Sequence, residues 1–339
     1  MKNNLTTLIE LGRCIDKLIS MDAAEANGLA VQFKLFETAV NRSNAENPWF
    51  TRSNVILAFK GIVKLLEENA LRAFYSQYPI SSTNDNKKRI GLVMAGNIPM
   101  VGFHDLMCIL LSGNIAVVKL SSVDKILMNY LFDLMLSIDP GLKQSIVIVD
   151  KLSGIDAVIA TGSNNSSRYF EYYFGKYPSL LRRNRTSVAV LTGDESKEEL
   201  ALLSDDMLLY FGLGCRNVTK LFVPAGYDFM PLLQAVKKYE YYLDFHKYKH
   251  NFDYQLALLI MNSKYYMSSD PLIFVESDSV FSPVSQVHFE YYQSQEHVAD
   301  KLENNTDIQC VIGNGYTGFG KAQSPGLMDY ADGVDTMRF

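Results

Sequence analysis

Residues 89–122, RIGLVMAGNIPMVGFHDLMCILLSGNIAVVKLSS, change their hydrophobic period twice. RIGLVMAGN (89–97) is a short β-rich run that ends at Gly96-Asn97. IPMVGFHDLMCILLSG reads as a helix stopped by Gly113, and NIAVVKLSS (114–122) as a second strand followed by a helix to about residue 137. Strand, helix and strand in this order build a parallel sheet with crossover helices. SIVIVD (145–150), DAVIATGS (156–163) and TSVAVLTG (186–193) carry the alternation on. ESKEELALLSDDMLLYF is an amphipathic helix that leads into YFGLGCRNVTKLFVP (210–224). After it, KLFVP, YDFMPLLQAVKKYEYYL, YQLALLIMN and LIFVESDSV resume the α/β pattern.

Upstream, residues 1–80 read as helical. Leu5, Leu8, Ile9, Ile15, Leu18 and Ile19 recur at helical spacing, as do Val55, Phe59, Ile62, Val63 and Leu66. Pro48 separates the two runs, and Thr51 or Ser53 suits the cap of the second. SSTNDNKKR (81–89) is a polar loop. The expected fold class is therefore α/β, with two α/β domains and a helical N-terminal extension. Residues 1–186 form the first domain with its extension, and residues 187–339 the second. No internal repeat or low-complexity tract interrupts them.

The chain has 339 residues, 48% hydrophobic and 20% charged, with a formal net charge of −5. That composition fits a globular protein and lacks the basic patch that non-specific nucleic-acid binding needs. MKNNLTTLIELGRCIDKLIS is amphipathic rather than a signal peptide, and no apolar run approaches the roughly 20 residues that span a bilayer. Cys14, Cys108, Cys215 and Cys310 lie far apart with no CxxC spacing, so free thiols in a reducing compartment are expected. The expected location is cytoplasmic.

Cys14, Cys108 and Cys310 sit in amphipathic or apolar runs, where cysteine is an ordinary core residue. Cys215 differs. Glycines precede it and Arg216 follows it, in a turn rich in backbone amides that favours the thiolate. From context alone, a buried structural thiol and a nucleophile are both open readings.

The ordered set AGNIP (95–99), VVKLSS (117–122), ATGSNNS (160–166) and FGLGCRN (211–217) resembles the landmarks of the aldehyde dehydrogenase superfamily. NPWFT (47–51), GNIPMVGFHD (96–105), KLSSVD (119–124), RRNRTSVAVL (182–191) and YFGLGCRNVTKLFVP (210–224) resemble its LuxC-like branch of acyl-CoA reductases. The similarity runs from about residue 47 onward. The resemblance implies an aldehyde-dehydrogenase-like fold, with Cys215 as the acyl-accepting nucleophile at the interface of two domains. Asn97 matches the asparagine whose amide, with the cysteine N–H, stabilises the tetrahedral oxyanion; without the resemblance it is a plain turn residue. Lys119 matches the lysine that binds the adenosine ribose. Ser121 and Ser122 belong to the same cofactor segment, and Thr161-Gly162-Ser163 would present amides to a pyrophosphate, although a serine there also suits an ordinary N-cap.

Several departures carry meaning. Ser122 stands where NAD-preferring relatives often place a glutamate, so NADPH is expected over NADH. SLLRRNRTSVAVL has no carboxylate where hydrolytic relatives hold their general base, which fits a reductase rather than an acid-forming dehydrogenase. In SVFSPVSQVHF (279–289), Ser279 replaces the glutamate that usually holds the nicotinamide ribose, while Phe281 and Pro283 remain. The resemblance also implies acyl-CoA or acyl-protein substrates, long-chain fatty acyl groups, and acyl-protein synthetase and acyl-transferase partners. A CoA-acylating dehydrogenase of short aldehydes, and a non-catalytic acyl-binding member of a complex, are the alternatives.

Three further motifs are set aside. IGNGYTG (312–318) matches a dinucleotide fingerprint but leaves no room for the helix and strand that should follow, so a loop is expected. His246 and His250 have metal-pair spacing without a third ligand, and no metal is expected. KKYEYYLDFHKYKHNFDY (237–254) interleaves aromatic and basic residues, and a half-buried helix is expected there.

Overall fold

The computed structural model describes residues 3–21, 30–80, 86–162, 164–303 and 305–339. Two compact units divide the chain. One comprises Met1–Arg183 with Gly326–Phe339, the other Asn184–Pro325.

The first unit opens with four helices, α1 (Asn4–Ser20), α2 (Ala30–Glu46), α3 (Arg52–Leu65) and α4 (Glu68–Tyr75). Leu8, Leu11, Ile15 and Leu18 fall on one face of α1 and are buried, as their spacing predicts. Thr51 is the cap of α3; its hydroxyl accepts from the Asn54 N–H at 3.3 Å. Glu67 accepts from the Asn69 and Ala70 amides and so starts α4 as a separate helix.

The α/β part follows as β1 (Arg89–Val93), α5 (Phe103–Leu111), β2 (Ile115–Lys119), α6 (Lys125–Ile138), β3 (Ile146–Ile148), β4 (Ala157–Thr161), α7 (Asn164–Phe174) and β5 (Ser179–Arg182). The five strands are parallel, in the order β3-β2-β1-β4-β5. The order reverses at β1, which has β2 on one side and β4 on the other. In open parallel sheets, ligands settle beyond the carboxyl ends of the strands at such a point. The helix after β1 starts at Phe103, later than the sequence pattern indicates. Residues 97–102 are turns, with Met100 in the left-handed region at φ 54°.

Residues 326–339 belong to this same unit. Arg182, buried to 4% exposure, donates to Asp105 at 2.7 Å, to Asp332 at 2.8 Å and to the Thr336 hydroxyl at 2.8 Å. The Tyr330 and Tyr78 hydroxyls lie 2.7 Å apart. These anchors draw the last residues away from the second domain to which the sequence pattern assigns them, so that unit ends at Pro325.

The second unit runs β6 (Thr186–Val190), α8 (Lys197–Leu208), β7 (Val218–Pro224), α9 (Met230–Val236), α10 (His246–Met261), β8 (Met267–Ser269), β9 (Leu272–Glu276), β10 (Gln286–Tyr292), α11 (Gln295–Leu302) and β11 (Ile308–Gly313). Its sheet has the order β11-β6-β7-β10-β9-β8, parallel except for β8. YQLALLIM (254–261) is the second half of α10. The buried residues of that helix, Tyr248, Phe252 and Leu259, recur at helical spacing. IGNGYTG closes β11 and continues as turns. No helix among the described residues is long and apolar enough to cross a membrane.

Candidate active site

Cys215 sits on the connection between α8 and β7, and that connection is unusual in its backbone. Tyr210, Phe211 and Gly212 take successive left-handed conformations, with φ of 56°, 58° and 75°. Only glycine enters this region freely. A bulky residue there costs on the order of 1–3 kcal/mol and persists only where its surroundings impose it. The imposing contacts are aromatic. The Phe211 ring lies 4.4 Å from Tyr242 and stacks at 5.0 Å on Phe245.

Asn217 closes the turn from below. It is wholly buried, and its side-chain oxygen accepts from the Gly214 N–H at 2.8 Å. Its NH₂ group meets the carbonyls of Asp206 at 3.1 Å, Met207 at 3.2 Å and Leu209 at 2.9 Å. One amide thus ties the end of α8 to the residue before the cysteine. The Ser187 hydroxyl donates to the Cys215 carbonyl at 3.1 Å. Ser187 adjoins a register shift between β6 and β7, a bulge of the kind that re-aims a side chain. Cys215 itself is half-buried.

A second thiol lies close by. Cys310, on β11, is 3.0 Å from the same Ser187 hydroxyl and is hydrogen-bonded by Arg216. Burial pushes the Cys310 thiol up, against the opposing pull of Ser187 and Arg216. Arg216, which follows Cys215 in sequence, is thus also engaged with Cys310. Burial also raises Cys14, and Cys108 well above its ordinary value. Asp206 is the carboxylate of this turn. It accepts from the Gly320 and Ala322 amides at 2.6 and 3.0 Å, and burial holds it up at about 6. Those two bonds make it a fastener of the 314–325 loop rather than an unengaged base.

The loop between β9 and β10, with Ser279 and Phe281, is fixed at its backbone. The Thr219 hydroxyl donates to the Val280 carbonyl at 2.6 Å, and Lys220, wholly buried, donates to Ser277 and pairs with Glu290 at 2.9 Å. His288 lies 3.0 Å from the Ser279 carbonyl. Ser279 is exposed, and its hydroxyl bonds back to its own loop, donating to the Phe281 carbonyl and accepting from the Phe281 N–H. Phe281 is half-buried.

In the first unit, Asn97, Lys119, Ser121, Ser122, Thr161 and Gly162 all lie at the carboxyl ends of β1, β2 and β4. Asn97, Lys119 and Ser122 are exposed, while Ser121, Thr161 and Gly162 are half-buried. Gly96 fits flush on the β2 loop: a Cβ there would come within 2.8 Å of both the Ser121 Cβ and the Val123 Cγ2. The Gly162 N–H donates to the Arg182 carbonyl at 3.2 Å, so it is committed to the sheet and is not the pyrophosphate donor expected of it. Ser163 lies outside the described residues. His246 and His250 keep their rings 6.2 Å apart on α10, and no cluster of three or more metal-ligating side chains occurs among the described residues. Sequence reasoning missed Asn217, Ser187, Thr219 and Asp206. The partners of Asn217 are backbone groups, which leave no signature in a sequence.

Known structures share this fold. An aldehyde dehydrogenase from Bacillus cereus, solved as an NAD+ complex, superposes with a TM-score of 0.61 at 12% identity, over 90% of this chain and 70% of that one. An indole-3-acetaldehyde dehydrogenase from P. syringae, in complex with NAD+ and IAA, gives 0.60 at 11%, over 90% and 75%. An aldehyde dehydrogenase from Bartonella henselae gives 0.55 at 10%, over 90% and 77%. At such identities the likeness establishes the aldehyde-dehydrogenase-like fold. No curated protein sequence matches the chain. Residues 27–224 match the model of the acyl-CoA reductase (LuxC) family, more than half of the chain and a span that includes both Asn97 and Cys215. The chain belongs to the LuxC acyl-CoA reductase family, and it is an oxidoreductase whose general reaction is reduction of an acyl-CoA to an aldehyde.

Proposed function

We propose that the chain reduces a long-chain acyl thioester, carried on CoA or on a protein, to the free aldehyde through an acyl-enzyme on Cys215, with NADPH as reductant. The thiolate of Cys215 attacks the thioester carbonyl carbon; the bond from that carbon to the CoA sulfur breaks, and CoA leaves as its thiol after taking a proton. The acyl group then rests on the Cys215 sulfur. When bound, the nicotinamide cofactor supplies the hydride for reduction. The chain holds the resulting thiohemiacetal at Cys215 until its alkoxide collapses, releasing aldehyde and restoring the thiolate. The Cys215 N–H and the Asn97 amide are the donors to the developing oxyanion. Removing one such donor typically costs about 10²–10³ in rate.

One observation supports this reading above the others. Cys215 is half-buried on a turn locked by Asn217 and by three successive left-handed residues. Conformational strain of this kind clusters at functional sites.

The donor set in the first unit fits a dinucleotide phosphate. Lys119 and Ser122 are exposed at the carboxyl end of β2, and Ser122 brings no charge against a 2′-phosphate. The Ser279 hydroxyl is taken up by the backbone of its own loop and does not replace a ribose-binding carboxylate, so Lys119, Ser121, Ser122 and Thr161 of the first unit would hold the cofactor. Acyl-protein synthetase and acyl-transferase partners would supply the acyl group.

The decisive experiment is intact-protein mass spectrometry after incubation with acyl-CoAs of increasing length, without cofactor. The expected result is one acyl group per chain, located on Cys215, favouring long chains and absent from Cys215→Ala. Equal labelling of the alanine variant refutes the assignment. Labelling by acetyl-CoA alone favours a short-aldehyde dehydrogenase instead.

A further inference from the structure

The segment between β1 and α5 that carries Asn97 has no regular structure of its own, so something must hold it. Asp124 does so from the neighbouring loop after β2. It occupies the N-cap position of α6, where a carboxylate ordinarily turns back to the first amides of its own helix. Here no such cap bond exists. The carboxylate reaches across instead and accepts from the Met100 N–H at 2.7 Å. Met100 is the left-handed residue of the Asn97 segment. Asp124 is buried to 3% exposure, and its other oxygen, Oδ1, finds no hydrogen-bond partner among the described residues. A buried carboxylate with a single bond is a poor source of stability. Its placement makes sense as a tether. On the other side of Asn97, Gly96 lies flush against Ser121 and Val123 of the same β2 loop.

We propose that Asp124 is a positioning residue for Asn97: by holding the Met100 amide it fixes the segment 96–102 so that the Asn97 side chain stays where an oxyanion develops. This rests on the reading of Asn97 as an oxyanion donor. Asp124 touches neither substrate nor cofactor, and it acts through the backbone.

Two measurements separate the proposal from the reading beneath it. The first is hydrogen–deuterium exchange of the 96–102 amides, which reports the tether whatever Asn97 does. Asp124→Ala is expected to speed exchange there at least tenfold and leave the α1 amides unchanged. Asp124→Asn, which keeps an acceptor in place, is expected to retain most of the protection. The second is the single-turnover rate of Cys215 acylation in native protein, Asp124→Ala, Asn97→Ala and the double variant. Asp124→Ala is expected to slow acylation at least tenfold with an unchanged KM for NADPH, and to add nothing on the Asn97→Ala background. Native exchange in Asp124→Ala overturns the proposal, and so does an equal further loss in the double variant. Asn97→Ala acylating at the native rate overturns the oxyanion reading, and with it the proposed purpose of the tether, while the exchange result still reports the tether itself. Should Asp124→Ala fail to fold, Asp124→Leu, of the same branched shape and without an acceptor, serves in both measurements with the same expected outcomes.

Discussion

Asn217 is the side chain on which the thiol's geometry most depends, and it has no contact with the outside. With Asn217→Ala, the Gly214 N–H and the three carbonyls it joins lose their partner together. Each buried group so orphaned costs about 1–3 kcal/mol, and a displacement near 1 Å at a reacting atom slows chemistry about 10²-fold. Asn217→Ala is expected to lower the acylation rate by about that factor; a native rate by quenched-flow mass spectrometry would show that the turn holds without it. Asp124 gives a pH-dependent expectation. Burial pushes its carboxyl from an ordinary 3.8 to about 7. The unfolded chain ionises near 3.8, whereas the folded chain keeps the proton until about 7. The stability this group confers is therefore complete below about pH 4 and is lost as pH rises through 7. Asp124→Asn lacks that loss, so its unfolding free energy in urea relative to native should improve between pH 5 and 8, by a few kcal/mol at about 1.4 kcal/mol per pKa unit. A pH-independent difference would contradict the assignment. Cys215 stands out in the sequence as a candidate through its flanking glycines and arginine together with the family resemblance; Asn217 and Asp124 do not, because each binds main-chain groups of another segment.

The loops that follow β1 and β2 act as one part. Gly96 is what lets them close, and Gly96→Ala forces its new Cβ into Ser121 and Val123. Overpacking of this kind costs about 1–3 kcal/mol, roughly a tenfold effect or more on an equilibrium. The expected result is a KM for the nicotinamide cofactor raised about tenfold by initial-rate kinetics, with thioester acylation slowed as well because Asn97 adjoins the clash. Unchanged cofactor affinity would mean that the strand ends do not bind it. Elements with a clean period were readable in advance: α1, β1, β2, β4 and β6 fall where their apolar residues place them. β10 was hidden because QVHFEYY alternates with charged and polar residues that the fold buries, including His288. α10 runs on through YQLALLIM because its buried positions continue a period set earlier, by Tyr248 and Phe252. The left-handed turn at Tyr210–Gly212 was invisible, since Tyr and Phe are residues that ordinarily avoid that region.

The chain leaves its first unit at Arg183, builds the second, and returns at Gly326. The alternation of strand and helix reveals two α/β layers but not this return, because the returning segment is anchored by Arg182, Asp105 and Tyr78 rather than by any periodic pattern. Removal of residues 326–339 leaves Arg182 buried with half of its acidic partners. Losing a partner of a buried ion pair costs about 3–5 kcal/mol. The truncated protein should expose protease sites in residues 1–183 and leave residues 184–325 as resistant as before; equal resistance of both units would refute the anchoring role. Asp332 lies 150 residues downstream of Arg182. At about 5–20 residues per second on the ribosome, that interval lasts roughly 8 to 30 s. A nascent chain therefore finishes residues 184–325 while residues 1–183 still wait for their second counter-charge, so that a pause or stop codon late in translation leaves the second unit complete and the first not yet sealed.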